Sequence, residues 1–213
     1  MTLRIEIDGT PTDVAPGTTV LEAVRATGGD VPTLCFDARL EPFGACRVCM
    51  VGVAGAAGPL AACTTPCRDG MVVDTADPTA RRIAAATVEL VLSELPEPPA
   101  PGTELATVAR ALGVDGARLR WPGTVHEREQ DLRHPYLALR HELCISCGRC
   151  VRACDEIQGT FALTATSRGF GANVAAGLDE GFRASACVSC GACADTCPTD
   201  AIAEISLLAI VDS

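Results

Sequence analysis

The stretch "HELCISCGRCVRACDEIQG" (residues 141–159) concentrates four cysteines within eleven positions. They are Cys144, Cys147, Cys150 and Cys154. A second run, "CVSCGACADTC" (187–197), repeats the C-x2-C-x2-C-x3-C spacing and carries Ser-Cys-Gly in the same register. Thiols repeated in this way predict a metal-binding module with two pseudo-symmetric halves.

The spacing of each run indicates how its thiols are used. Three cysteines at two-residue spacing form a short turn around one cubane, and the fourth lies one turn into the next helix and points away. In bacterial two-cluster ferredoxins that fourth cysteine ligates the other cluster. We therefore predict two [4Fe–4S] clusters, with a pair of structural zinc sites as the alternative. The first set is Cys144, Cys147, Cys150 and Cys197, and the second is Cys187, Cys190, Cys193 and Cys154.

A third set of cysteines lies near the amino terminus. It comprises Cys35, Cys46, Cys49 and Cys63, with ten, two and thirteen residues between them. The first gap is wider than in plant-type ferredoxins, but the pattern fits a related [2Fe–2S] domain, with zinc again as the alternative. Gly44 would let the backbone approach the inorganic sulfur without a Cβ. Cys67 is predicted to be a spare buried thiol, with an alternative cluster ligand as the other interpretation.

The first 75 residues predict a small sheet with one helix. "LRIEID" alternates as a strand does, Asp8-Gly9 marks a hairpin turn, and "TTVLEAVRATGG" reads as a helix capped by Thr18 or Thr19. Further strands are predicted at "RVCMVGVA", "PLAAC" and "GMVVDT". This order is typical of a β-grasp domain.

The middle of the chain predicts two helices and then irregular structure. Asp77-Pro78 favours a helix start, and that helix is expected to run to about Leu95, where "PEPPAPG" stops it. "TELATVARALG" predicts a second helix, and residues 114–140 predict no regular element. The expected class is α+β in three parts. They are a β-grasp [2Fe–2S] ferredoxin-like domain at 1–76, a helical and Pro-rich linker at 77–140, and a bacterial-type 2[4Fe–4S] ferredoxin module at 141–213.

Composition excludes some functions. The formal charge is −10, and all 17 basic residues are arginines. A nucleic-acid binder needs a basic face, so that class is disfavoured.

The ends of the sequence indicate a compartment. The chain opens with a strand-like segment, not a secretory leader, and its apolar tail is too short to span a bilayer. We therefore expect the protein to lie in a reducing cytoplasm. Catalytic motifs are lacking, which predicts a protein that carries electrons without transforming a substrate.

The three histidines and two of the arginines each allow a functional and a structural interpretation. His126, His134 and His141 are expected to be surface or structural residues, with a ligand role as the minor alternative. Arg149 and Arg152 flank a predicted ligand, so they would either raise the potential of the first cubane or lie solvated on the surface.

The whole arrangement resembles the amino-terminal iron–sulfur region of the α subunit of NAD-dependent molybdenum or tungsten formate dehydrogenases. "HPYLALRHELCISCGRCVRACDEIQGTFALT" and "CVSCGACADTCPT" carry the likeness, which covers nearly the whole chain. The same layout occurs in the large iron–sulfur subunit of complex I and in the small diaphorase subunit of NAD-reducing hydrogenases. The resemblance implies a catalytic molybdenum or tungsten pterin partner on the cubane side and a flavin- and NAD-binding partner near the [2Fe–2S] end.

One departure from that family lies between the two cysteine-rich regions. The family carries another cubane there, held by one His and three Cys, whereas this chain reads "LPEPPAPGTEL" and has no cysteine from 68 to 143. Leu95 stands where the His would be and Thr103 where the last Cys would be. We therefore expect that cluster to be lost. The family's pterin-binding domain is expected on a separate subunit, or to be absent.

These observations predict an iron–sulfur electron-transfer subunit of a cytoplasmic oxidoreductase complex, holding one [2Fe–2S] and two [4Fe–4S] clusters. Formate dehydrogenase is the favoured host. An NAD-coupled hydrogenase, a free-standing ferredoxin-like carrier and a cluster-based sensor are the alternatives.

Overall fold

The computed structural model describes residues 2–116, 119–125, 127, 129–177 and 181–205. The chain forms two compact units. The first comprises residues 1–36, 42–90 and 108–120, and the second comprises 37–41, 91–107 and 121–213. Both units therefore take residues from the segment 77–140, which the sequence predicts to be a linker. The division into three domains stays a prediction.

The first unit is built on a five-stranded mixed sheet. Its strands are β1 (Leu3–Ile7), β2 (Thr10–Val14), β3 (Met50–Val53), β4 (Leu60–Ala61) and β5 (Val72–Asp74). They lie in the order β2-β1-β5-β3-β4, and only the β1–β5 pair is parallel. Helix α1 (Val20–Ala26) follows the first hairpin, as the sequence predicts. Its apolar side chains pack with those of the sheet in one core.

Caps fix where the helices begin. Thr19 accepts a hydrogen bond from the amide of Glu22, and the Glu22 carboxylate accepts one from the amide of Thr19, which forms a capping box. Helix α2 (Pro78–Ser93) starts with Asp77 as its cap, because Asp77 Oδ1 accepts from the amide of Ala80 at 2.7 Å. Its proline stands at the first helical position, where no N–H is needed.

The second unit contains two small antiparallel sheets and short helices. Strands β6 (Leu137–Leu139) and β9 (Ile202–Glu204) form one sheet, and β7 (Leu163–Thr166) and β8 (Asn173–Ala176) form the other. Residues 104–107 of helix α3 (Glu104–Ala111) also belong to this unit, and α4 (Arg149–Arg152) and α5 (Ala192–Asp195) each follow a cysteine-rich turn. Helix α4 continues as a π-helical turn, Ala153–Gln158. Among the described residues of the unit, 3-10 turns occur at His141–Leu143, Gly169–Gly171 and Phe182–Ala184.

One prediction about this region is wrong in part. Residues 114–140 were expected to be irregular, but β6 occupies the end of that segment and pairs with β9 in the register Leu137↔Glu204 to Leu139↔Ile202. Both leucines are about 2% exposed and contribute to the core of the second unit. Residues 206–213, in the apolar tail, lie outside the described residues.

Candidate metal centres

The amino-terminal cysteine set lies together in the first unit. Cys35, Cys49 and Cys63 are buried, and the amide of Cys46 donates to Cys35 Sγ at 3.5 Å. Hydrogen bonds from the Cys46 thiol, and then from the Cys63 thiol, hold the pKa of Cys35 well below its usual range. A hydrogen bond from the Cys63 thiol likewise lowers the pKa of Cys49, to about 7. The four thiols therefore lie in one group, as the ligands of a single [2Fe–2S] cluster must, and their role as its ligands stays a prediction.

The backbone of this loop requires glycine at one position. Gly44 has a φ of +68°, a region that other L-residues enter only with strain. A Cβ built on Gly44 would also lie 3.0 Å from Cγ2 of Thr64, one residue after Cys63. Thr64 thus also limits the space at Gly44, and the approach of this backbone to inorganic sulfur stays a prediction.

The predicted ligands of the first cubane line one cavity in the second unit. These ligands are Cys144, Cys147, Cys150 and Cys197. Leu139, Val174 and Ile202 supply apolar walls, and Cys150 is among the buried residues of the unit's core. Three thiols from one run thus share a cavity with the last thiol of the other run.

The predicted ligands of the second cubane line a separate cavity in the same unit. They are Cys187, Cys190, Cys193 and Cys154. Leu137, Leu163 and Phe182 form its apolar walls. The exchange of fourth cysteines is therefore present in the placement of the side chains, although which thiols bind which cluster stays a prediction.

The two cysteine turns have the same backbone conformation. Ser146 and Ser189 have φ of +52° and +58°, and the glycines that follow the next cysteine, Gly148 and Gly191, have φ of +74° and +79°. The Ser146 amide donates to Cys144 Sγ at 3.4 Å, and the Ser189 amide donates to Cys187 Sγ at the same distance. The sequence repeat is thus also a conformational repeat.

The surroundings of these thiols fit iron–sulfur clusters. Backbone amides of Ala162 and Ile202 donate to the sulfurs of Cys154 and Cys197, at 3.2 and 3.5 Å, which suits sulfurs that carry negative charge. Burial raises the pKa of Cys147 to about 12, so this thiol keeps its proton unless a metal cation replaces it. Among the described residues, no three His, Cys, Asp or Glu side chains are placed to hold a single metal ion.

Arg149, which the sequence left between two interpretations, is buried. Its side chain is 4% exposed. Its guanidinium donates to both carboxylate oxygens of Glu104, to Asp37 Oδ2 at 3.3 Å and to Thr196 Oγ1 at 3.0 Å. The solvated-surface interpretation is wrong for this residue. Arg152 is half-buried and donates to the carbonyl oxygen of Glu41.

The two described histidines have structural hydrogen bonds. His134 is 4% exposed, and its Nδ1 accepts from the amides of Tyr136 and Leu137, at 3.2 and 3.0 Å. Nδ1 of His141 lies 2.9 Å from Oδ1 of Asn173. His126 lies outside the described residues. Cys67 is buried in the core of the first unit, where desolvation raises its pKa.

Two family models match the chain, one for each cysteine-rich region. The model described as "2Fe-2S iron-sulfur cluster binding domain" matches residues 1–78, and "4Fe-4S dicluster domain" matches residues 143–201. The chain carries a [2Fe–2S] domain followed by a [4Fe–4S] dicluster domain. The predicted α+β fold class is confirmed, and the chain is an iron–sulfur protein.

Several curated proteins are similar to it. An NADH-quinone oxidoreductase subunit of Rhizobium meliloti (strain 1021) is 32% identical over 172 residues, which is 78% of this chain and 20% of that protein. The NADPH-Fe(3+) oxidoreductase subunit alpha of Geobacter sulfurreducens (strain DL-1 / KN400) is 33% identical over 170 residues, again 78% and 20% of the two chains. NADP-reducing hydrogenase subunit HndD of Solidesulfovibrio fructosivorans is 32% identical over 213 residues, 95% and 36% of the two chains. The chain thus spans about a fifth to about a third of the length of these relatives.

A solved structure is similar over nearly the whole chain. It is a chain of an NAD+-reducing [NiFe]-hydrogenase in the H2-reduced state, with a TM-score of 0.86 and 28% identity. The match covers 96% of this chain and 88% of that one. None of the described helices is long and apolar enough to cross a membrane.

Proposed function

We propose that this chain is an iron–sulfur electron-transfer unit of an NAD-linked oxidoreductase complex. The observation that carries the proposal is the exchange of cysteines between the two cavities of the second unit. Cys197 lies with the thiols of the first run, and Cys154 lies with those of the second. Clusters held by a shared pair of runs stay at a fixed separation, which suits electron transfer between them.

The residues of the chain bind and shield the clusters. Bound [4Fe–4S] and [2Fe–2S] clusters supply one-electron redox chemistry. Cysteine thiolates hold the iron, backbone amides donate to sulfur and stabilise its negative charge, and walls such as Leu139 and Phe182 exclude water. The proposed ligands of the [2Fe–2S] cluster are the four cysteines of the amino-terminal set. The proposed ligands of the two cubanes are the crossed sets.

The absence of another cubane in the segment 95–103 is part of the proposal. Thr103, which stands where the family has a cysteine, is 6% exposed and is fully engaged. Its hydroxyl donates to the Ala100 carbonyl oxygen at 2.8 Å and accepts from the Ala106 amide at 3.2 Å, which caps α3. The residue therefore has a structural role in helix α3.

The likeness to hydrogenase and NADH-quinone oxidoreductase subunits supports an NAD-linked host complex. A cytoplasmic location and a flavin- and NAD-binding partner subunit stay predictions based on the sequence. A formate dehydrogenase host, with a molybdenum or tungsten pterin subunit, stays a prediction based on the sequence resemblance. A free-standing carrier is the second candidate, because the formal charge of −10 suits transient docking to basic partners.

Counting iron in the anaerobically purified native protein tests the proposal. We expect about ten irons and about ten acid-labile sulfides per chain, with one [2Fe–2S] signal and two interacting [4Fe–4S] signals in EPR of the reduced sample. About fourteen irons would mean that another cubane is bound, and the loss argued from residues 95–103 would be wrong. A zinc content of one or more per chain in place of iron would refute the electron-transfer proposal. Co-purification with a flavoprotein through gel filtration separates a stable subunit from a carrier.

A further inference from the structure

The second unit has an open groove beside the cavity of the first cubane. Its volume is about 920 Å³. One wall is the Pro-rich segment 95–100, and the others come from residues 140–143 and 194–204. Leu95, Leu143 and Ile202 give it apolar surface. Such a groove is larger than a single side chain needs and is suited to part of another molecule.

The floor of the groove belongs to the cluster site. Thr199 and Ile202 line both the groove and the cavity of the first cubane. The amide of Ile202 donates to Cys197 Sγ at 3.5 Å, and Oγ1 of Thr199 lies 3.7 Å from the same sulfur. A molecule seated in the groove is therefore separated from a proposed cluster ligand by one layer of side chains.

The groove is also strongly acidic. Five carboxylates line it, against a single guanidinium, that of Arg140. The carboxylates are those of Glu97, Glu142, Asp195, Asp200 and Glu204. The Arg140 guanidinium already has a hydrogen-bond partner within the protein, because its Nη2 donates to the Asp200 carbonyl oxygen at 3.3 Å. An occupant thus meets apolar surface flanked by excess negative charge.

We propose that this groove is the docking site through which a redox partner exchanges electrons with the first cubane, and that the partner presents a basic segment. The inference rests on the proposed electron-transfer function and names the partner class. Lysine or arginine side chains complement the carboxylates, and apolar residues between them cover the floor. A second copy of this chain fits poorly, because each copy has a formal charge of −10. A reduced [4Fe–4S] cluster held by the proposed ligands of the first cubane would supply the one electron that the partner accepts. No atom or proton is transferred.

Ferric cytochrome c, a basic one-electron acceptor, is a suitable probe. The reduced holoprotein, freed of excess reductant, is mixed with it in a stopped-flow instrument at low and high salt. Glu97→Gln combined with Asp200→Asn removes two exposed groove carboxylates, and Asp13→Asn combined with Asp30→Asn removes two exposed carboxylates of the first unit. Both double variants have a formal charge of −8, two fewer negative charges than −10. We expect the groove variant to be slower by roughly three- to tenfold at low salt, the control to change little, and the difference to vanish at high salt.

A steric variant completes the test. Ala100→Trp fills the groove and is expected to slow the reduction of cytochrome c at every salt concentration, because Ala100 is an exposed lining residue. Ferricyanide, a small anionic acceptor, should be reduced at an unchanged rate. Equal slowing by the two double variants would overturn the groove proposal, because the net charge of the protein alone would then explain the rates. A dimer in analytical ultracentrifugation that Ala100→Trp abolishes would also overturn it, because the occupant of the groove would then be a second copy of this chain. Iron content and EPR of the wild type and of each variant are measured first. Missing clusters in the wild type would show that the proposed function is wrong, whereas intact clusters with unchanged rates in the variants would show that only the groove proposal is wrong.

Discussion

The guanidinium of Arg149 and the carboxylate of Glu104 form a bidentate ion pair, with Nη1–Oε2 and Nη2–Oε1 distances of 2.6 and 2.9 Å. Arg149 lies between two proposed ligands of the first cubane, and Thr196, which also binds it, immediately precedes a third, Cys197. The carboxylates of Glu104 and Asp37 both accept hydrogen bonds from Arg149, and Arg39 also pairs with Asp37, so two guanidinium groups balance two carboxylates. Arg149 is therefore one part of a charge-balanced network at the cluster turn.

Replacement of Arg149 by Gln should destabilise the holoprotein by about 2–4 kcal/mol, because Asp37 and Glu104 lose their buried counterion. The stability of an Arg149→Lys protein should lie between those of the wild type and Arg149→Gln, because lysine keeps the positive charge but cannot form the bidentate pair with Glu104. Anaerobic urea unfolding, followed by cluster absorbance, measures the effect. Arg39→Gln is the matched control, because Arg39 also binds Asp37 but its side chain is 47% exposed. An Arg149→Gln protein as stable as the Arg39→Gln protein would contradict the argument.

The crossed assignment of the cubane ligands predicts the result of combined substitutions. Alanine at Cys187, Cys190 and Cys193 should remove one cubane, and adding Cys154→Ala should remove no further iron. If each run closed its own cluster, the added substitution would instead remove about four more irons, since Cys154 would then belong to the first run. Iron content after anaerobic reconstitution distinguishes the two cases. Adding Cys197→Ala in place of Cys154→Ala is the matched control, and it should abolish the remaining cubane signal.

Cys67 provides a test of the amino-terminal ligand set. It is 4% exposed and packs in the core of the first unit. Cys67→Ala should keep the [2Fe–2S] EPR signal and the iron content, because only a core sulfur atom is lost. Cys63→Ala, four residues earlier, should lose the signal and about two irons. Loss of the signal in both variants would make Cys67 a ligand, which is the other interpretation of the sequence.

Local signals in the sequence predicted much of the fold. The cap at Thr19 and the Asp77-Pro78 start lie within one turn of the helices that they begin, so α1 and α2 could be placed from the sequence. The cysteine sets could be identified because their spacing is itself the signal. The positive φ of Ser146 and Ser189 could not be predicted from residue type, since serine has no preference for that region.

Features that depend on distant parts of the chain were missed. Strand β6 has three residues, too few to show a period, and its partner β9 lies more than sixty residues later. The sequence alone could not show that Arg149 is buried, because its ion-pair partners also lie far away in the chain. Its counterions Glu104 and Asp37 are 45 and 112 residues away in the sequence. The groove has walls from three such separated segments, so no single motif could indicate it.

The carboxylate of Asp131 should make stability depend on acid pH. Asp131 is 7% exposed, and it accepts hydrogen bonds from Arg133 and, at 2.6 Å, from the amide of Phe182. The hydrogen bonds from Arg133 contribute most to lowering the pKa of Asp131 to about 2, with a smaller contribution from Phe182. The stabilisation is therefore complete above the unfolded-state pKa of about 3.9 and is lost as the pH falls toward 2.

Asp131→Asn should destabilise the protein by about 2 kcal/mol at pH 7, because hydrogen bonds to a charged group are lost. Thermal unfolding of both proteins at several pH values measures the difference in melting temperature. We expect the difference to stay constant from pH 7 to 5 and to shrink below about pH 4, since both pKa values lie below 5. Asp30→Asn, at a side chain that is 77% exposed, is the control and should show no comparable difference. A difference that already shrinks between pH 7 and 5 would mean that a group other than Asp131 is responsible.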